Sequence, residues 1–220
     1  MSARDDVIAK AKSEVGYNRY NDPEQGSKYG RYYAALVGDS SYAANGVPYC
    51  AMFDTYVYNE CGVKCAGLPG AYVPSIVNAV RAEGREVSKD EAQPGDYVMF
   101  DWGNDGVADH VGIVLENDPD TARMICCEGN TAATWAGSQS NGGCVAIRER
   151  YYHQICCVGR PYYEESEGNE MTDEQAAKLN AIYDSCAGWL QGCYNMLNEQ
   201  RELIDKLSEK VDNITKSIEK

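Results

Sequence analysis

Histidine and phenylalanine are scarce in this chain, with two of each among 220 residues. Any chemistry that needs an imidazole must therefore use His110 or His153. Long apolar runs are missing too. No stretch approaches the ~20 consecutive apolar residues that cross a bilayer, which argues against membrane insertion. The opening Met1-Ser2-Ala3-Arg4-Asp5-Asp6 places charges where a secretory signal needs an apolar core. The expectation is synthesis in a cytoplasm without a signal peptide. Positive charge is also in short supply. The net charge is −14, with 14 Lys+Arg against 21 Asp+Glu in residues 1–163 and 6 against 13 in residues 164–220. With no basic stripe, binding to nucleic acid or to an anionic membrane has little support in the sequence, and neither is expected as a partner.

Ten cysteines are present, but zinc-type spacing is not. Neither Cys61-x-x-x-Cys65 nor the doublets Cys126-Cys127 and Cys156-Cys157 supply paired CxxC or CxxH units. The pattern predicts reduced, buried thiols acting as small apolar filler, with no metal and no cofactor. The 17 tyrosines suit a half-buried surface, and equally suit stacking on a polymer.

The first 160 residues read as helices followed by strands. Ser2 caps a helix with Val7, Ile8, Ala11 and Val15 on its apolar face, ending at Gly16. Further helices are predicted over 29–37, closed by Gly38, over 50–60, and from Pro74 to Gly84. From Pro94 the period changes to two. Strands are predicted over 97–100, 109–116, 122–128, 143–151 and 154–160. Helices first and sheet second predicts an α+β fold, its helices packed on an antiparallel sheet of about five strands.

An acidic stretch over 163–171 reads as a linker between a first domain, 1–162, and a helical segment, 172–220. Thr172-x-x-Gln175 forms a capping box. Apolar positions then step by three and four through Ala176, Leu179, Tyr183, Cys186, Leu190, Cys193, Leu197, Gln200, Ile204, Leu207, Val211, Ile214 and Ile218. This heptad seam predicts a coiled coil that makes the chain a homo-oligomer, with folding back on the first domain as the alternative. Gly188 and Gly192 mark where the helix could bend.

One cysteine is set like a nucleophile. Cys50 follows the turn Gly46-Val47-Pro48-Tyr49 and opens a helix, whose N-terminal partial charge favours a thiolate. His110 opens the strand His-Val-Gly-Ile-Val, with Gly112 giving space opposite a helix. Glu128 ends the strand predicted to pair beside it, where a carboxylate could hold the ring and its tautomer. Asn130, two residues on, could support the ring or the substrate. His153 lies at a strand connection with no acid positioned after it.

At these residues the chain resembles the CHAP family, cysteine- and histidine-dependent amidohydrolases and peptidases that cut bacterial cell walls. The likeness lies in Tyr49-Cys50-Ala51-Met52-Phe53, Pro94-Gly95-Asp96-Tyr97-Val98-Met99-Phe100, His110-Val111-Gly112-Ile113-Val114 and Glu128-Gly129-Asn130-Thr131, in that order. Ser27-Lys28-Tyr29-Gly30 looks like the N-terminal part of phage endolysins that carry this domain. The resemblance implies a papain-like fold over roughly residues 1–160, with Cys50 as nucleophile, His110 as base, and Glu128 with Asn130 as orienters. It also implies a peptidoglycan substrate and release to the wall through a holin-type pore. Tyr49 stands where family members often carry Trp or Gln, which leaves Asn45 and Tyr49 as candidate oxyanion-hole or substrate residues. The aspartates that bind calcium in some members are not visible ahead of Cys50. NlpC/P60 peptidases share the order Cys, His, polar residue and form a neighbouring alternative. Two others are a catalytically silent protein working through its coiled coil, and a cysteine protease unrelated to walls.

Overall fold

The computed structural model describes residues 2–134, 136–163 and 173–218. The chain divides into two units, residues 1–164 and 165–220. In the first, Ser2 opens α1 (Ala3–Ser13) with a reciprocal capping box: its hydroxyl accepts from the Asp5 N–H, and the Asp5 carboxylate accepts from the Ser2 N–H. Val7 and Ala11, one turn apart, are buried. Val15, which the periodicity placed on that face, is exposed because the helix stops at Ser13. Three more helices follow: α2 (Lys28–Val37), capped by Ser27 and closed by Gly38 at φ +74°, then α3 (Cys50–Glu60) and α4 (Val73–Ala82). The left-handed backbone at Gly38 is one that a residue with a Cβ resists.

Five strands, β1 (Tyr97–Phe100), β2 (His110–Asp118), β3 (Arg123–Thr131), β4 (Cys144–Tyr151) and β5 (Ile155–Gly159), form one antiparallel sheet in the order β4-β3-β2-β1-β5. The architecture is α+β, as the change of period predicts. Strands β2 and β3 run further than their apolar alternation, because Asn117 pairs with Met124 and Asp118 with Arg123 right up to the turn. The period of two sorts the side chains onto two faces. Tyr97, Met99, Val111, Ile113 and Cys127 join the main core with Phe53 and Val57 of α3. Val98, Phe100, Val114, Met124, Cys126 and Val158 form a second cluster, against which Trp102 packs.

Tyr163, placed in the linker by composition, packs on the first unit: its hydroxyl donates to the Gly95 carbonyl at 2.6 Å and Arg4 lies over its ring. The rest of the predicted linker, 164–171, and Thr172 of the predicted capping box lie outside the described residues. In the second unit α5 (Asp173–Ile218) is one helix, unbroken at Gly188 and Gly192. Of the predicted seam, the side chains of Ala176, Leu179, Val211, Ile214 and Ile218 lie outside the described residues. Tyr183, Leu190, Leu197, Ile204 and Leu207 are exposed, and so is Trp189. No described helix is long and apolar enough to cross a membrane.

Candidate active site

Cys50 begins α3, and the residue before it, Tyr49, makes no side-chain cap. The first-turn N–H groups therefore have no capping oxygen, and the positive end of the helix dipole falls at Cys50. Cys50 itself is 5% exposed, at the edge of a core that takes in the whole first turn. Tyr49 is fully buried and stacks on Tyr29 with ring centroids 5.2 Å apart. Four of the tyrosines, a residue type expected to suit a half-buried surface or stacking on a polymer, are buried: Tyr29, Tyr49, Tyr58 and Tyr97. Polar partners allow it for three of them: Tyr29 donates to Glu14 at 2.8 Å, Tyr58 to the Gly95 carbonyl and Tyr97 to the Ala66 carbonyl, each at 3.0 Å, while the Tyr49 hydroxyl has no partner among the described residues.

His110 starts β2 with its ring wholly buried, stacked on Phe100 at 6.0 Å. Its Nε2 meets Glu128 Oε2 at 3.0 Å. Gly112, two residues along β2, makes this contact possible. A Cβ there would lie 2.6 Å from Glu128 Cγ, so the space opens toward the carboxylate rather than toward a helix. Burial pushes the imidazole toward its neutral form, but the Cys50 thiol and the Glu128 carboxylate outweigh it and raise the ring pKa to about 9. Cys50, His110 and Glu128 thus come together from a helix and two neighbouring strands.

A fourth group, unseen in the sequence, completes the chain of contacts. Arg150 on β4, 1% exposed, donates from Nε to Glu128 Oε1 at 2.6 Å and from Nη2 to Oε2 at 2.5 Å. Burial raises the Glu128 pKa, but Arg150 and His110 overcome that and hold it below the usual carboxylate range. The Arg150 guanidinium in turn lies 4.7 Å from the centroid of Trp102. Trp102 is held by an Asp loop: Asp109 accepts its backbone N–H at 2.7 Å, and Asp101 accepts from Gly106 at 2.8 Å. The sequence signal for Arg150 is Arg148-x-Arg150, two cations on one face of a predicted strand.

The remaining candidates are placed differently. Asn130 sits at a register shift between β3 and β4, at φ +61°. Its amide nitrogen donates to the Ser140 carbonyl at 2.8 Å and Asn141 Oδ1 at 3.2 Å, so it pins the 138–142 loop. Asn45 accepts from the Gly26 N–H at 2.8 Å and lines a cleft with Arg19 and Asp22. His153 lies in a short turn, stacked on Tyr151. All ten cysteines are free thiols. Burial pushes the thiols of Cys65, Cys126, Cys127 and Cys157 up.

The raised His110 pKa is also a stability term. Its folded value, about 9, exceeds the unfolded 6.5, so the contribution is complete below about pH 6.5 and is lost as pH rises through about 9. Unfolding free energy measured by denaturant titration is expected to fall by on the order of 3 kcal/mol across that window. In His110→Gln the same window should be flatter; an identical slope in both proteins would contradict the assignment.

Residues 42–130 match the CHAP domain family, a span that contains Cys50, His110, Glu128 and Asn130. The probable endopeptidase p60 of Listeria seeligeri is 40% identical over 68 residues, 31% of this chain and 11% of that protein. The chain thus matches about a tenth of that relative's length. Among solved structures, the wild type endolysin LysIME-EF1 is similar with a TM-score of 0.43 and 15% identity, over 75% of this chain and 67% of that one. An NlpC/P60 family protein from Bacillus cereus gives 0.41 and 16%, over 71% and 39%.

Proposed function

With residues 42–130 matched to the CHAP domain, we propose that this chain is a peptidoglycan hydrolase of the phage endolysin type. The observation that carries the reading is the buried set Cys50, His110, Glu128, Arg150, in which Arg150 holds Glu128, Glu128 holds the His110 ring, and Cys50 and Glu128 together raise the ring pKa. Cys50 attacks an amide carbonyl of the wall peptide, its thiol proton resting on His110. The negative charge that develops on the carbonyl oxygen is met by the uncapped N–H groups at the start of α3. Collapse expels the amine, which takes the proton from the imidazolium and leaves a thioester on Cys50. Water, giving a proton to the neutral ring, attacks the thioester, releases the new carboxylate and restores the thiol. Glu128 holds the ring and offsets its charge, as the third member of a triad does. Asn45, its amide oxygen engaged by the Gly26 N–H, and Tyr49, its ring stacked on Tyr29, serve to shape the approach to Cys50.

The bond we assign is the N-acetylmuramoyl–L-alanine amide. Mass spectrometry of fragments released from defined peptidoglycan tests it: free lactyl carboxyls and L-alanine N-termini are expected. New termini inside the stem or cross-bridge would make the enzyme an endopeptidase instead. The chain would reach its substrate from the host cytoplasm through a holin-type pore. For the tail we propose self-association along the exposed face of α5, where Leu190, Leu197 and Ile204 recur every seven residues. Sedimentation is expected to show one chain per particle after truncation at Gly168 and more than one before it; equal values would contradict the assignment.

A further inference from the structure

The first turns of α3 carry one ionisable group that the proposed reaction does not use. Asp54 lies four residues beyond Cys50, so the two side chains share a face of the helix. It is wholly buried, and neither carboxyl oxygen has a hydrogen-bond partner among the described residues. Burial, joined by the negative charge of Cys50 and Glu128, keeps its proton on well above the usual carboxylate range, against the pull of His110. A neutral acid carries an O–H that needs an acceptor.

The surrounding groups narrow the choice. On its own helix Asp54 faces Cys50 and Tyr58, and His110 faces it from β2. Cys126, Cys127 and Glu128 of β3, and Cys65 of the loop after α3, are near enough to interact electrostatically with it. Both Glu128 oxygens are taken by Arg150 and His110. The Tyr58 hydroxyl donates to Gly95, and the Cys127 thiol to the Ala11 carbonyl. Burial keeps Cys65 and Cys126 as thiols. Only the Cys50 sulfur becomes a strong acceptor, when it gives its proton to His110.

Resting on the reading of Cys50 as nucleophile, we propose that Asp54 is a positioning residue, a neutral carboxylic acid whose O–H bonds the Cys50 sulfur once that sulfur is a thiolate. The hydrogen bond favours the thiolate–imidazolium pair and fixes the sulfur along the helix face. It also gives a use to a polar group that a core otherwise excludes.

The full chain, treated with iodoacetamide at pH 6.5 in the presence of free glutathione as reference thiol and followed by peptide mass spectrometry, tests this. Cys50 is expected to label faster than glutathione in the wild type. Asp54→Leu and Asp54→Ala should slow it about tenfold, the equivalent of one pK unit. Asp54→Asn, which keeps a donor, should stay within about threefold, and at pH 10 the gap should close because thiols ionise unaided. Melts followed by circular dichroism verify that each variant folds, and either apolar variant suffices. Losses below about threefold in the apolar variants, or a loss in Asp54→Asn equal to theirs, would overturn the inference alone. Wild-type Cys50 labelling no faster than glutathione would overturn the nucleophile assignment along with it.

Discussion

Cys50→Ala is expected to lower fragment release from purified walls by about 10⁴-fold or more, to the level of walls left in buffer. The thiol is the only group in the site able to form the acyl intermediate, and no neighbouring sulfur can replace it. Cys65, Cys126, Cys127 and Cys157 are held as thiols by burial, and Cys127 already donates to a backbone carbonyl. Stability should hardly change. Exchanging one sulfur for a hydrogen at a helix start leaves a small void, worth roughly 1 kcal/mol. A turbidity assay with wild type and variant, at matched folded concentration, gives the answer. Equal clearing by the two proteins, or none by either, would remove the enzyme reading and leave a binding or structural role.

Arg150→Met should have the largest effect on the fold. It keeps most of the side-chain volume but strips Glu128 of a bidentate partner at a site buried from solvent. Breaking a buried pair from one side costs about 3–5 kcal/mol, because the other charge stays behind. Glu128 would then take up a proton more readily, since burial alone raises its pKa. The acid limb of the activity profile is therefore expected to move to higher pH in Arg150→Met. A double variant, Glu128→Gln with Arg150→Met, should recover part of the lost stability by removing both charges. Additive losses in that cycle would show that the two side chains are not coupled.

Much of this arrangement was legible in the residues. Helix starts at Ser2 and Ser27, the stop at Gly38 and the change of period at Pro94 each follow from local chemistry, and the elements form near those positions. So do the places of Cys50, His110 and Glu128, because helix entry and strand alternation set their directions. What the chain conceals is long-range. Arg150 is 22 residues from its carboxylate and meets it only through the β3–β4 register, which no local pattern encodes. Asn130 was expected to continue the alternation of Glu128, yet a register shift at that point turns its amide toward Ser140 and Asn141. Asp54 was hidden differently. It is the sole charge between Cys50 and Asn59, a break in an apolar face that signals a buried acid once the helix is known to be packed.

His110, Glu128 and Arg150 occupy three adjacent strands, and the last of them is the penultimate residue of β4. A ribosome must therefore expose the chain to residue 151 before the imidazole has a supported carboxylate beside it. Nascent and prematurely ended polypeptides would be inert, and so would a sheet zipped one step out of alignment, which would turn Glu128 to the opposite side. Folding and the assembly of the site thus share a single checkpoint: the imidazole gains its support only when the sheet has closed in the right register.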